Sequence, residues 1–202
     1  MPCKGRSEEM SADSLPSAFE IRTVAVIGAG RLGRPFALAC AEAGFDVVLE
    51  DVMPVNLRRA QEEYAELQVE AGSLRVAKMV DDAVRAADIA VDFVPDELES
   101  KLEIFSLIDR MAPPKTILLT PSDSLSITDL ASCTYRGDRC YAVRGGLVSG
   151  RAIRVVYPKG TVDAALVAVR SFLAGLGCEV QVEEDSAEPM LVKNAVSRLH
   201  EA

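Results

Sequence analysis

Apolar positions along the chain switch repeatedly between two periods. Thr23-Val24-Ala25-Val26-Ile27 is a short branched run closed by Gly28, the pattern of a strand buried on both faces. Leu32, Phe36, Leu38, Ala39 and Ala43 follow at helical spacing as far as Gly44, and Phe45 to Leu49 then read as a second strand. The same alternation predicts a polar helix over 55–70, a strand over 75–80, a short helix over 81–87 and a strand over 89–94. A helix over 97–111 and a strand over 116–120 come next. A third stage adds a short helix over 127–131, strands over 140–144 and 152–156, a helix over 162–176, a strand over 179–183 and a tail helix over 187–200. Strands joined through helices by short links predict a doubly wound α/β fold. Its sheet is mostly parallel, and residues 21–202 form a single domain with a C-terminal tail helix. Residues 1–20 carry no apolar period and read as a flexible leader.

Composition narrows the function classes. At 202 residues with 49% apolar side chains the chain can bury a core, and no apolar run approaches a membrane span or a signal peptide, so a soluble, cytoplasmic protein is expected. A net charge of -9 without a basic run argues against nucleic acid as a partner. Cysteines 3, 40, 133, 140 and 178 have no metal-ligand spacing, so neither a metal site nor a disulfide framework is indicated. Cys133, Cys140 and Cys178 read as small core residues and Cys3 as an exposed thiol. The only histidine is His200, near the chain end, where a solvated side chain is expected.

Gly28-Ala29-Gly30-Arg31-Leu32-Gly33 lies between the first strand and the first helix, the context in which G-x-G-x-x-G has a mechanism. The turn brings main-chain amides at a helix N-terminus to a diphosphate. Asp51 closes the second strand about 20 residues on, where a carboxylate receives the adenosine ribose and repels a 2′-phosphate. Glu50 adds to that repulsion, and Arg58 and Arg59 oppose it. The expected fold is therefore of Rossmann type and the expected cofactor is NAD.

Longer stretches carry a resemblance. Ala87-Asp88-Ile89-Ala90-Val91-Asp92-Phe93-Val94-Pro95-Asp96, then Glu99, Lys101, Glu103, Ile104 and Phe105, then Ala112-Pro113-Pro114-Lys115-Thr116-Ile117-Leu118 and Ser124 to Ala131, resemble the NAD-binding domain of the 3-hydroxyacyl-CoA dehydrogenases, within the 6-phosphogluconate-dehydrogenase-like group. The resemblance implies hydride transfer between NAD and a 3-hydroxyacyl-CoA, with Val94, Pro95, Asp96 and Lys101 beside the cofactor; Asp96 equally suits a helix cap. In that family a His held by a Glu takes the hydroxyl proton and an Asn assists. Here those places fall on Arg144, Val156 and Asn194, and Ser124 stands in the family's catalytic turn. Arg stays protonated and Val orients nothing, so the dyad is absent and activity is expected to be weak or lost. A family Asn on the cofactor side becomes Leu147, Pro121 and Asp123 alter the turn after the fifth strand, and the segment 51–88 looks short of the family's CoA-contacting arm. The family's helical domain is expected to be missing after Ala202.

Two further readings remain open. Gly33-Arg34-Pro35-Phe36-Ala37 and Val148-Ser149-Gly150 are similar to motifs of β-hydroxyacid dehydrogenases and imine-reducing enzymes, in which a lysine acts, here Lys193. Alternatively the chain is a non-catalytic NAD-binding module. Met190, Leu191, Ala195, Val196 and Leu199 on the tail helix would then offer an apolar face to a partner protein or a second copy in a homodimer, with a small-molecule substrate or none.

Overall fold

A computed structural model describes residues 19–67, 71–147 and 151–187. Eight strands form one sheet. β1 (Thr23–Ile27), β2 (Asp46–Glu50), β3 (Ser73–Ala77), β4 (Ile89–Asp92), β5 (Ile117–Pro121) and β6 (Cys140–Arg144) are parallel. β7 (Ala152–Tyr157) returns antiparallel to β6, and β8 (Glu179–Glu184) runs parallel to β7. The order β3-β2-β1-β4-β5-β6-β7-β8 places β1 at the point where the winding reverses. Ligand crevices of open α/β sheets lie at the carboxyl ends of the strands flanking such a point.

Both faces are covered, which is why β1 and β4 read as largely apolar runs. α1 (Gly33–Glu42), α2 (Pro54–Glu66) and α6 (Asp163–Gly175) bury Phe36, Leu57 and Phe172 on one face. There Phe36 packs on Phe93 at 5.2 Å between centroids and edge-on to Phe172 at 6.3 Å. α3 (Val80–Val84), α4 (Leu98–Met111) and α5 (Ile127–Ser132) bury Val84, Phe105, Ile108 and Leu130 on the other. Each fully buried side chain of this size is worth roughly 1.5–3 kcal/mol. The doubly wound, mostly parallel architecture is the one the pattern predicts.

Boundaries differ where polar groups intervene. The third strand ends at Ala77, not Val80, because Val80 opens α3, whose first turn carries Asp81 and Asp82 facing the helix dipole. The fourth strand ends at Asp92, and Phe93, whose N–H still donates to Ile27 O at 2.7 Å, packs against the glycine turn. The polar helix stops at Glu66, with 68–70 outside the described residues. A feature invisible to periodicity closes the far end of the sheet. Buried Arg136 donates to Asp109 Oδ1 at 2.9 Å and to the carbonyls of Asp109 and Ala112 at the end of α4 and of Pro113 and Thr116 just beyond it. The leader through residue 18 and the tail from residue 188 lie outside the described residues. No helix among those described is long and apolar enough to cross a membrane.

Candidate cofactor crevice

The glycine turn leaves β1 at its carboxyl end. Gly28 has φ of +98°, a conformation that L side chains rarely adopt, and its N–H donates to Glu50 O at 2.8 Å. A Cβ on Gly33 would lie 1.9 Å from Gly28 O, so only glycine lets α1 approach β1 this closely. A Cβ on Gly30 would meet nothing within 4 Å; it would project into open space at the mouth of the turn. No side chain caps α1, and its first turn carries no acid. Among the described residues no hydrogen bond engages the N–H groups of Gly30, Arg31 or Leu32. A glycine-lined concavity with unengaged amides and an uncapped helix start has the donor set that a diphosphate requires, so the residues present fit the cofactor.

Asp51 faces this turn. It is 9% exposed, and Oδ2 accepts from Ala29 N–H at 2.7 Å and from Asn56 Nδ2 at 3.0 Å, while Oδ1 accepts from Met53 N–H at 2.7 Å. A carboxylate offers about four acceptor directions, so three are occupied and one on Oδ1 is left for a sugar hydroxyl. Neighbouring Glu50 is 4% exposed, and burial, with the Asp51 charge second, pushes its carboxyl up to about 7. The full negative charge that its sequence position suggests is therefore only about half present at neutral pH.

β4 supplies the opposite wall. Val94 is half-buried, and Pro95 and Asp96 are exposed beside the turn. Asp96 caps nothing: the α4 N-cap is Glu97, with no side-chain cap bond, and Asp96 Oδ2 instead accepts from Asp123 N–H at 3.3 Å. Lys101, expected beside the cofactor, is paired with an acid of β4 in the structure. It is 1% exposed and turned inward, its Nζ 2.7 Å from Asp92 Oδ1, and Asp92 is itself 1% exposed at the end of β4. Burial pushes the Asp92 carboxyl up, and the ammonium pulls it the other way. Periodicity places Lys101 on a solvated helix start; the acid at position 92, in an otherwise apolar strand, was the available signal that a cation must come inside.

The remaining candidates gather at the ends of β5 and β6. Ser124 is exposed in the turn between β5 and α5. Arg144 ends β6, paired in register with Arg154, and Ala142 pairs with Val156, so Val156 lies diagonal to Arg144 across the antiparallel ladder. Val156 is buried among Leu118, Ala142 and other apolar residues. Leu147 lines a mostly apolar cavity of about 300 Å³ with Leu32, Pro35, Phe36 and Cys178. Cys140 and Cys178 are buried and Cys133 half-buried. Asp185 accepts from Ser126 Oγ at 2.8 Å and Thr128 N–H at 3.0 Å, fastening the end of β8 to α5. Cys3, Val148-Ser149-Gly150, Lys193, Asn194 and His200 lie outside the described residues, as does the apolar stripe of the tail.

Comparison with known proteins places this geometry. A family model described as the NAD binding domain of 3-hydroxyacyl-CoA dehydrogenase matches residues 23–144, more than half of the chain. The 3-hydroxybutyryl-CoA dehydrogenase of Bradyrhizobium diazoefficiens is 30% identical over 181 residues, covering 82% of this chain and 62% of that protein. A probable 3-hydroxybutyryl-CoA dehydrogenase of Bacillus subtilis is 31% identical over 135 residues, covering 59% of this chain and 47% of that protein. The chain thus spans about half to three-fifths of these relatives' length. Among solved structures, (S)-3-hydroxybutyryl-CoA dehydrogenase from Ralstonia eutropha superposes with a TM-score of 0.72 at 25% identity, covering 83% of this chain and 65% of that one. With the glycine turn, the braced Asp51 and these matches together, the chain belongs to the 3-hydroxyacyl-CoA dehydrogenase family and carries its NAD-binding domain.

Proposed function

We propose that this chain binds NAD(H) across the crevice between the glycine turn and β4 and has lost the proton-transfer half of the family's reaction on 3-hydroxyacyl-CoA. The observation that carries the reading is the pairing of an intact cofactor cradle with Arg144 and Val156 at diagonal ladder positions. A base and the carboxylate that orients it need that proximity; a guanidinium that stays protonated and a buried isopropyl group supply neither role. When bound, the nicotinamide supplies hydride chemistry. The chain's own groups hold the diphosphate on the amides of Gly30, Arg31 and Leu32 and the adenosine sugar on Asp51. Without a positioned base, turnover of an acyl-CoA substrate falls by roughly 10² to 10⁴.

Gly30→Ala separates cofactor binding from folding. Its Cβ meets no protein atom and its φ is not positive, so stability is held or gains up to about 1 kcal/mol, whereas the added methyl fills the cradle. Titration calorimetry is expected to show NADH binding by the full chain and at least a tenfold weakening in Gly30→Ala, with acetoacetyl-CoA reduction near background. No heat with NAD or NADH from folded protein defeats the cofactor reading; brisk NADH oxidation with acetoacetyl-CoA defeats the loss of acid–base chemistry.

A further inference from the structure

The mostly apolar cavity of about 300 Å³ opens beside the glycine turn, on the face of the sheet that carries α1, α2 and α6. Phe36, Leu176 and Cys178, each under a tenth exposed, form its floor, and Leu147 lines it from the loop after β6. Its mouth is open to water: Arg31 and Pro35 are exposed there, and Leu32 is 56% exposed. A volume of this size lies at the lower end of the range that holds small organic ligands. The cofactor reading leaves the space unused, because it needs only main-chain N–H groups of Arg31 and Leu32. The cavity extends from those residues along α1 to Ala39 and across to the end of α6.

Charge marks one end of it. Among the described residues no acid lines the cavity, and Arg31 is the one cation that does. The two arginines at the start of α1 differ in this respect. Arg34 Nε donates to Glu63 at 2.9 Å, whereas no ion pair among the described residues includes Arg31. A guanidinium at the wet mouth of an apolar cavity suits an anion with an apolar body: the head meets charge-assisted donors while the body leaves water. The described chain ends on the other face of the sheet, where Asp185 is fastened to Ser126 and Thr128 at the start of α5.

We propose that this cavity binds a medium-chain monocarboxylate, with the carboxylate on Arg31 at the mouth and the unbranched chain against Phe36, Leu147 and Leu176. The site adjoins the diphosphate cradle and is open without a cofactor, so it stands or falls separately from the binding of NAD(H).

Octanoate is the probe, with hexanoate and octanamide as its controls. Burial of a methylene is worth roughly fourfold in affinity, so calorimetry on the full chain is expected to show octanoate binding about tenfold more tightly than hexanoate. Octanamide keeps the chain and loses the charge, and is expected to bind at least threefold more weakly than octanoate. Ala39→Leu puts a larger side chain on the α1 wall and is expected to weaken octanoate at least tenfold; Arg31→Gln is expected to erase the preference for the acid over the amide. Should either variant fail to fold, the wild-type comparisons still decide. No binding of octanoate by folded protein, no gain over hexanoate, or equal binding of acid and amide overturns the proposal. Binding that Ala39→Leu leaves intact and NADH displaces overturns it too, since the carboxylate then sits on the cradle amides. A dimer in sedimentation that Leu147→Glu splits, with no octanoate bound, gives the cavity to a second copy of the chain and has the same effect. Heat with NADH but none with octanoate sinks only this site, and the reverse sinks only the cofactor reading.

Discussion

Replacing Glu50 by Gln should make the protein more stable at high pH, by an amount fixed by its burial. The side chain lies on the α3–α4 face of the sheet, in register with Ile27 and Ala77, and lines a cavity of about 410 Å³ with Val52, Lys78, Met79 and Asp81. Its carboxyl accepts no hydrogen bond from a described residue; Asp51 adjoins it in sequence, and Lys78 is the one cation lining that cavity. Burial raises it from the ordinary 4.5 to about 7. The folded state thus holds this proton more tightly than the unfolded chain does. The group costs nothing below about pH 4.5, costs progressively more as pH rises to about 7, and the cost is constant above. At about 1.4 kcal/mol per pH unit the full cost approaches roughly 3 kcal/mol, of which about 2 kcal/mol accrues between pH 5.5 and 8.5. Urea unfolding of wild type and Glu50→Gln at those two pH values measures it. Any packing cost of the amide is the same at both and cancels, so the advantage of the variant should widen by about 2 kcal/mol at pH 8.5, or roughly 4–8 °C in Tm. A gap that stays constant with pH would refute the reasoning, since it would mean that Glu50 is as well solvated folded as unfolded.

Lys101→Met strips the buried Asp92 of the one cation paired with it among the described residues and should cost about 3–5 kcal/mol at pH 8. The loss should be smaller near pH 5, where the abandoned carboxyl takes up a proton; equilibrium unfolding at the two pH values reads the difference. Gly33→Ala drives a Cβ against Gly28 O and should cost about 1–3 kcal/mol or more, seen as a lowered denaturation midpoint and, because the turn must shift, as weakened NADH binding in calorimetry.

The strands and helices were legible because burial on both faces writes itself as unbroken apolar runs, and the glycine turn was legible because its spacing has one steric solution. What the sequence hid were interactions between residues far apart in it. Lys101 looks solvated until Asp92 is seen beneath it, nine positions away but on another element. Arg136 looks like one charge among many, yet it caps the end of α4 through the carbonyls of Asp109 and Ala112 and holds the segment after it through those of Pro113 and Thr116. The ends of β3 and β4 were misplaced because Val80 and Phe93 have strand propensity and were claimed by a helix start and by packing on the turn, both of which are tertiary. Position 144 was legible as a departure from the histidine that the resemblance implies, but that its buried Nε has no hydrogen-bond partner among the described residues is visible only in three dimensions.

The acid at the end of β2 does two jobs that compete. Asp51 holds the glycine turn through Ala29 N–H and the start of α2 through Met53 N–H and Asn56, and only its last acceptor direction is left for a sugar. Cofactor choice therefore depends less on how many bonds Asp51 makes to a ribose than on the charge it keeps at the turn. A 2′-phosphate about 4 Å from one carboxylate pays about 4 kcal/mol per unit charge at an effective dielectric constant near 20, before screening. Glu50 adds to that repulsion only in its ionised form. With its carboxyl pushed up to about 7, Glu50 gains its charge as pH rises from 6 to 8. We predict that the ratio of NADH to NADPH affinity, measured by calorimetry at pH 6 and pH 8, rises with pH as Glu50 ionises; a ratio that stays constant refutes a role for Glu50 in rejecting a phosphorylated ribose.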